Sequence, residues 1–270
     1  GEFMNRFESY LGERGHKSAT FFVHLTRMFQ LTGQALAWIF VAPFKGEKIR
    51  WKFTIVQMVR IGVDSVPIVS IIAFATGLII AMQAAYQLEQ FGALIYVADL
   101  VGVAMCRELG PLITAIIVAG RSGSAIAAEL GTMKVGEEID ALETMALNPV
   151  GFLVVPRLLA MMIVLPCLTV IADVLGISGG FVLAVTNLDL SFVAYFNQTA
   201  MAIVGKDFIT GLIKSLFFAI IIAQVGAYQG LTVRGGAEGV GKSTTASVVT
   251  SIFMVIFADL LFTMLFYSTL

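Results

Sequence analysis

Residues 236 to 243 match the phosphate-binding loop pattern GxxxxGK[ST], with Lys242 and Ser243 at its end. Such a loop needs a buried strand leading in and a helix leading out, so that backbone N–H groups converge on phosphate. The preceding segment, Phe208 to Leu231, is an apolar stretch of about 24 residues that would extend about 36 Å as a helix. That length crosses a bilayer, so we interpret residues 236–243 as a short cytoplasmic Gly-rich loop.

Ionisable residues inside long apolar blocks form the second group of residues that could take part in chemistry. Arg107 and Glu108 lie near the middle of one block, and Asp173, Lys214 and Asp259 each lie in another. A lone charge at the bilayer centre costs about 2.5 to 3.5 kcal/mol, so these groups should face one another or an aqueous cavity. They could be structural ion pairs or a proton or ion relay. We favour ion pairs, because both histidines lie in the N-terminal segment, away from these acids.

A third group is acidic and lies between two of the apolar blocks. Glu137, Glu138, Asp140 and Glu143 are interleaved with the apolar residues Ile139, Leu142 and Met145. A spacing of three between apolar residues predicts a helix with an apolar stripe and carboxylates elsewhere around it. It could be a solvated helix on the bilayer surface, but an acidic helix gains nothing from an anionic leaflet. A protein partner fits better.

The elements that must position these residues are membrane-spanning helices. Hydrophobic residues make up 58% of the 270 residues and charged residues 13%, against about 25% charged in soluble domains. The third block is long, which predicts a tilt or a break near Pro166 or Gly176. Five blocks are long enough to span: Ile61 to Ala85, Ala98 to Gly120, Leu158 to Thr186, Phe208 to Leu231 and Ala246 to Phe266.

The N-terminal segment is predicted to be cytoplasmic. Gly1 to Phe3 precede Met4 and resemble a cloning scar, and residues 4–60 then lead into a transmembrane domain of residues 61–270. A further apolar block, Ala19 to Ala42, has basic residues at both ends, which favours an interfacial elbow helix over a sixth span.

Charges in the connecting segments predict the orientation. Residues 4–60, 121–157 and 232–245 hold nine, three and two Lys or Arg, whereas the other two connections hold only Lys206. The positive-inside rule then places the N-terminus in the cytoplasm and the C-terminus outside.

Composition argues against several other classes of protein. Cys106 and Cys167 are isolated within apolar blocks, which predicts neither a disulfide framework nor a metal site. The net charge is −1 and no basic surface indicates nucleic acid. We therefore expect no metal and no nucleic-acid partner.

Several motifs in order resemble the MlaE/YrbE permeases, the membrane subunits of bacterial ABC systems that move phospholipid between the inner and outer membranes. The resemblance extends from the elbow to Phe266. It rests on Arg107 to Pro111, Ala119 to Ala125, Ala128 to Gly131, Glu143 to Ala146 with Pro149, and Gly239 to Gly241 followed by Thr244 and Thr245.

This resemblance implies an all-α integral membrane protein of the bacterial inner membrane that forms a homodimer. It also implies two cytoplasmic ATPases that bind ATP and Mg, a periplasmic ring of MCE-domain subunits and often a small STAS-domain protein. This chain itself would bind no cofactor and catalyse no reaction.

The same resemblance implies where its functional residues lie. It assigns residues 129–143 as a coupling helix that docks into the ATPase through Glu129, Glu137, Glu138, Asp140 and Glu143. Lipid would be handled at the dimer interface between the first, second and fifth spans. Residues on one face of the first span are plausible lining residues: Ile71, Phe74, Leu78 and Met82.

Three functions from different classes follow. A lipid permease driven by a separate ATPase explains the acidic cytoplasmic helix and is the reading that we favour. An ion-coupled secondary transporter using Arg107, Glu108 and Asp259 would more often show internal repeats, and we find none. A self-contained membrane NTPase would use Lys242. Identifying lipid that co-purifies with the chain and its neighbouring subunits would discriminate among them.

Overall fold

The computed structural model describes residues 26–39 and 50–267. These residues belong to two units, Gly1–Ile49 and Arg50–Leu270. In the first unit, residues 26–39 form helix α1, in which the Thr32 hydroxyl donates to the Met28 carbonyl at 2.9 Å. Gly1 to Phe3 and both ends of the predicted elbow lie outside the described residues, and the interfacial placement of the elbow stays a prediction.

Residues 50–267 form helices joined by short turns, and no strand occurs in the part of the chain that the structure describes. Five helical segments are long and apolar enough to cross a membrane, so the prediction of an all-α protein with five spans is confirmed. Their bounds are Trp51–Glu89, Leu94–Val135, Val150–Asn187, Gly205–Leu231 and Gly236–Phe266. The helices are α2 (Trp51–Gly62), α3 (Val66–Glu89), α4 (Val97–Ala104), α5 (Gly110–Val118), α6 (Ser124–Val135), α7 (Glu138–Thr144), α8 (Val155–Asn187), α9 (Phe192–Ala202), α10 (Gly205–Leu231) and α11 (Gly236–Tyr267).

The first helical segment begins ahead of the predicted span. Helix α2 starts at Trp51, and one 3-10 turn at Val63–Ser65 joins it to α3. The inner face of α2 carries Thr54 and Gln57, which are buried although they are polar. Because of these polar residues, the apolar block that predicted the first span does not mark where this helix begins.

Helix α8 runs without interruption through Pro166 and Gly176, so of the two predicted alternatives the break is wrong and the tilt stays a prediction. In a bilayer, backbone groups have no water to bond with, so a helix tolerates the loss of one hydrogen bond at proline rather than opening. Gly176 and Gly179 instead permit close packing. A Cβ at Gly179 would collide with the Phe74 carbonyl oxygen of α3, and one at Gly176 with the Met105 side chain.

The core of the second unit lies where α3, α4 and α8 pack together. Its buried residues are mostly small or β-branched, which lets the helix backbones approach closely. They are Val69, Ala73, Ala81, Ala85, Val97, Val101, Met105, Ala172 and Leu183.

The predicted coupling helix of residues 129–143 is two helices, which corrects the single helix expected. Helix α6 ends at Val135, and α7 begins at Glu138. Between them, Glu137 has a φ of 59°, a left-handed conformation that cannot continue an α-helix. Glu129 therefore lies on a different helix from Glu138, Asp140 and Glu143.

The predicted Gly-rich loop is also helical. Residues 236–243 form the first two turns of α11, and positive φ values occur here only at Gly235, which precedes them, and at Gly236, the first residue of the helix. The segment leading in is the helix α10, followed by a four-residue turn.

Candidate functional site

A cluster of charged side chains inside the helical bundle centres on Lys214. This side chain has no exposed surface, and its Nζ donates to Glu108 Oε2 at 2.5 Å and to Thr263 Oγ1 at 2.8 Å. Asp259 Oδ1 lies 2.9 Å from the same Nζ, an ion-pair distance without the alignment of a hydrogen bond. Thr263 in turn donates to Glu108 at 3.2 Å. We call these four residues the Lys214 cluster.

The Lys214 cluster joins three spans at a common depth. Direct contacts place the Glu108, Lys214 and Asp259 side chains at the same level of the bundle. The Lys214 Nζ donates hydrogen bonds to Glu108 and Thr263 and makes an ion pair with Asp259, so its contacts come from two other spans. The two carboxylates are less buried, with 31% of the Glu108 side chain and 15% of the Asp259 side chain exposed. One side of the cluster therefore opens towards the outside of this chain.

A π turn positions Glu108. Residues Met105–Leu109 form one turn of π-helix between α4 and α5. Pro111 follows at the start of α5, and its ring can neither donate a hydrogen bond nor fit against the carbonyl four residues earlier, that of Arg107. π turns are frequent at functional sites, and proline in the middle of a span is the sequence signal that could have found this one.

Arg107 and Asp173 lie outside the Lys214 cluster. The Arg107 guanidinium is 3.8 Å from Asp207, near the start of α10. Asp173 is 3% exposed and its Oδ1 has no hydrogen-bond partner among the described residues. That atom occupies the space that a Cβ at Gly110 would need, so glycine at 110 makes room for the carboxylate.

A second ion-pair network, near the opposite end of the bundle, centres on Glu129. Its carboxylate pairs with Arg60 of α2 through one oxygen and with Arg157 of α8 through the other, the latter at 3.0 Å. Arg157 is buried; it also donates to the Leu153 carbonyl at 2.7 Å and lies over the Phe53 ring at 5.2 Å. Glu129 thus ties α6 to two other helices, and its carboxylate is occupied within the chain.

Sequence reasoning missed Arg60 and Arg157. Both lie just before a predicted span, at Ile61 and Leu158, where a basic residue is expected at the cytoplasmic surface. The sequence signal that could have predicted these two ion pairs is Glu129, an acidic residue at the end of the second span that lies on the same side as Arg60 and Arg157.

Helix α7 presents carboxylates at the surface. Ile139 and Leu142 are buried, whereas Glu137, Glu138 and Glu143 are exposed and make no side-chain ion pair with any described residue. Asp140 differs, because Lys134 donates to it at 2.7 Å. Two members of the predicted apolar stripe therefore face the protein, whereas the third, Met145, is 61% exposed, and three acidic side chains face outwards.

The four residues of α3 that were predicted to contact lipid differ in how exposed they are. Ile71 and Met82 are 71% and 55% exposed. Phe74 and Leu78 are partly buried, and Leu78 packs against the hydrophobic core. Their role in binding lipid stays a prediction.

The residues of the phosphate-loop match contact one another rather than forming a cradle. Lys242 pairs with Glu238 at 2.7 Å, one helical turn away, and both side chains are more than three-quarters exposed. Ser243 donates to the Gln229 carbonyl at 2.5 Å. Among the residues the structure describes, no group of three or more His, Cys, Asp or Glu side chains could hold a metal ion.

Comparison with known proteins finds a matching family model and several similar proteins. The family model described as permease MlaE matches residues 54–265. A probable ABC transporter permease protein of Rickettsia prowazekii is 39% identical over 78% of this chain and 82% of its own length. One from a Synechocystis species is 36% identical over 96% of this chain and 97% of its own. The chloroplastic protein trigalactosyldiacylglycerol 1 of Arabidopsis thaliana, whose name is that of a lipid, is 34% identical over 82% of this chain and 63% of its own length.

Proposed function

Because this chain belongs to the MlaE permease family, we propose that it is the non-catalytic membrane subunit of an ABC transporter that moves phospholipid between the inner and outer membranes. ATP and Mg would be bound by a separate cytoplasmic ATPase. The chain would lie in the bacterial inner membrane, with its N-terminus in the cytoplasm and its C-terminus in the periplasm.

The single observation that carries the proposal is the surface of α7. This short helix lies between the second and third spans. Its Glu138 and Glu143, and Glu137 immediately before it, are exposed and pair with no described residue. Ion pairs across an interface set register and specificity more than affinity, as a mechanical coupling requires. The buried Ile139 and Leu142 anchor α7 to its own subunit, so force applied to α7 reaches the spans.

The Lys214 cluster supports the homodimer in this proposal. Glu108 is 31% exposed in the interior of a span, where an ionised group must face protein or water rather than lipid. Helix α11 also leaves a broad apolar face uncovered, including Val249, Phe253 and Ile256 at 63%, 68% and 51% exposed. A second copy that covers these faces would enclose a cavity between the subunits. We propose MCE-domain and STAS-domain proteins as further partners, on the family membership alone.

Reconstitution tests the proposal. The chain with its neighbouring subunits should transfer fluorescent phospholipid from donor liposomes to acceptor liposomes only when ATP is present. Transfer should stop when the ATPase subunit carries a substitution in its own phosphate-binding lysine. ATP-independent transfer, or transfer of ions and not of lipid, would contradict the proposal.

An ion-coupled transporter is the second candidate, and the Lys214 cluster is the observation that favours it. Buried carboxylates beside a lysine are the groups that proton-coupled carriers use. At fixed ATP, a proton gradient across the liposome should then change the rate of transport, and Asp259→Asn should abolish that response while the complex still assembles. We expect no response to the gradient.

A further inference from the structure

A polar pocket of about 220 Å³ lies between α2 and the second helical segment. Gln57 and Arg60 line it from α2, and Glu129 lines it from α6. Arg121 and Ser122 line it from the turn of π-helix that joins α5 to α6. Helix α2 packs mainly against α8, and this leaves a space between α2 and α6.

Two of the side chains that line the pocket are polar and almost fully buried. Gln57 is 4% exposed and Ser122 is 5% exposed, and neither side chain makes a hydrogen bond with any described residue. Buried amides and hydroxyls in folded proteins are almost always hydrogen-bonded, so these two groups call for an explanation. Gln57 offers two N–H donors and Ser122 offers one O–H donor. A ligand with several acceptor oxygens would satisfy both side chains.

Two guanidinium groups at the pocket retain unused donors. Arg60 contacts Glu129 through Nη1 alone, so its Nε and Nη2 have no partner among the described residues. Arg121 donates from Nη1 to the Ser65 hydroxyl at 2.8 Å, and its Nη2 lies 3.2 Å from Asp64 Oδ2. The Arg60 side chain is 57% exposed and that of Arg121 is 37% exposed, so a ligand can reach both.

The charges around the pocket do not balance. Glu129 serves both Arg60 and Arg157, the latter at 3.0 Å, and Asp64 serves Arg121. Three arginines therefore share two carboxylates, and one positive charge is left over. The Asp64 side chain is also 53% exposed, so water and salt screen its charge. The pocket therefore favours an anion.

The arrangement of the donors favours a phosphate group over a carboxylate. Guanidinium groups bind both anions well. The donors here come from two walls, however, with Gln57 and Arg60 on α2 and Ser122 on the opposite side. A tetrahedral phosphate presents oxygens to both walls, whereas a planar carboxylate presents its two oxygens along one edge. The pocket is smaller than the about 300 to 1,000 Å³ of sites that hold drug-sized ligands, so it fits one small group and not a whole nucleotide.

The pocket lies at the level of lipid headgroups. Arg60 directly precedes the first predicted span and Arg121 directly follows the second, where the hydrocarbon core gives way to the headgroups. Basic pockets between transmembrane helices are sites at which phospholipid headgroups bind. We propose that this pocket binds a phosphate group, supplied by an anionic phospholipid of the leaflet on the α7 side or by free phosphate in the adjoining water. This inference goes beyond the proposed function, because the site is separate from the Lys214 cluster and its occupation requires neither transport nor an ATPase.

Chemical modification of arginine tests the proposal. Purified full-length protein in a phosphate-free maltoside detergent is treated with phenylglyoxal, and mass spectrometry follows the modification of each arginine. Inorganic phosphate, or phosphatidylglycerol added to the micelles, should slow the modification of Arg60. It should leave that of Arg234 unchanged, since Arg234 is exposed and does not line the pocket. Sodium chloride at the same ionic strength, and diacylglycerol, which lacks phosphate, are the matched controls and should protect neither arginine.

The two ligands distinguish the source of the phosphate group. Protection of Arg60 by phosphatidylglycerol and not by inorganic phosphate would identify the lipid headgroup as the ligand. Protection by inorganic phosphate would show that the site also accepts phosphate from the water, and protection by inorganic phosphate alone would exclude the lipid.

Variants of the two buried polar side chains make the test specific. Gln57→Leu removes the amide and keeps Arg60 as the reporter. The concentration of protecting ligand that halves the rate of Arg60 modification should rise about tenfold, because a hydrogen bond to a charged group is lost. Ser122→Ala should act in the same direction and does not depend on the packing of α2. Thr54→Val is the matched control, since Thr54 is a buried polar residue of α2 that does not line the pocket, and it should leave that concentration unchanged.

Three results would overturn the proposal. Neither inorganic phosphate nor phosphatidylglycerol could protect Arg60. Chloride or diacylglycerol could protect it equally well, which would mean charge screening or shelter within the micelle. Gln57→Leu and Ser122→Ala could both leave the protection unchanged, which would place the phosphate outside the pocket. None of these results depends on transport or ATP hydrolysis, so they leave the proposed function to its own test.

Discussion

Lys214 and Glu108 meet at 2.5 Å in the interior of the bundle although 106 positions separate them in the chain. Lys214 has no exposed surface, and the same ammonium group faces Asp259 at 2.9 Å. Two carboxylates therefore share one cation, and the three side chains join the second, fourth and fifth spans. Removing the cation has a different consequence from removing one acid.

We predict that Lys214→Met is the most damaging single substitution in the Lys214 cluster. It leaves Glu108 and Asp259 without their cation, and breaking a buried ion pair from one side costs about 3 to 5 kcal/mol. Asp259→Ala should be milder, because Lys214 retains Glu108. Thermal unfolding in detergent and the yield of assembled complex measure both effects.

The control for this prediction removes the whole network. The triple variant Lys214→Met, Glu108→Gln, Asp259→Asn should recover much of the stability that Lys214→Met loses, since no charge is left without a partner. If the triple variant unfolds at a lower temperature than Lys214→Met, the carboxylates do not depend on Lys214, and the structural interpretation is wrong.

We predict that Lys242→Ala leaves ATP hydrolysis by the assembled complex unchanged within about twofold. Lys242 lies in a regular helical turn and pairs with Glu238, so it does not aim at a phosphate. Glu238→Ala, which removes the other member of the exposed pair, is the matched control and should behave alike. ATP binding by this chain alone, lost on Lys242→Ala, would be the contrary result.

Apolar blocks predicted the five spans because a bilayer demands long uninterrupted hydrophobic helices. Charges within those blocks predicted that Lys214 needs acidic partners, because an unpaired charge there is costly. Neither argument selects a partner. Arg107 pairs with Asp207 while the adjacent Glu108 pairs with Lys214, and both lie in the π turn at Met105–Leu109, which the sequence pattern did not predict.

Other features depend on contacts that sequence patterns do not carry. The division between α6 and α7 arises from the left-handed Glu137, a conformation with no distinctive residue type at that position. Arg157 lies at the edge of an apolar block and looks like a surface residue, yet the fold buries it against Glu129 and Phe53. The pocket between α2 and α6 requires the position of both helices and has no linear signature.

We predict that Glu129 supports the fold more than it supports docking. Glu129→Ala leaves the buried Arg157 without its carboxylate partner, so the unfolding temperature should fall clearly. Glu143→Ala, which removes an exposed carboxylate of α7, should leave it unchanged. Arg157→Lys should behave like Glu129→Ala, because lysine replaces neither the second hydrogen bond to Leu153 nor the planar contact with Phe53. Equal unfolding temperatures for Glu129→Ala and Glu143→Ala would show that the network contributes nothing.

The last prediction concerns the outward surface of α7. Reversing Glu137 and Glu138 together to lysine should weaken binding of the ATPase about tenfold or more, because like charges then meet across an interface built for opposite ones. The spans should stay folded, since both side chains are exposed and make no ion pair with any described residue. Co-purification of the ATPase and lipid-stimulated ATP hydrolysis are the two measurements. Glu89→Lys is the control, because Glu89 is an exposed carboxylate at the end of α3 on the opposite side of the bundle. If the double reversal and Glu89→Lys give the same co-purification and the same hydrolysis, α7 is not the surface that couples the two proteins.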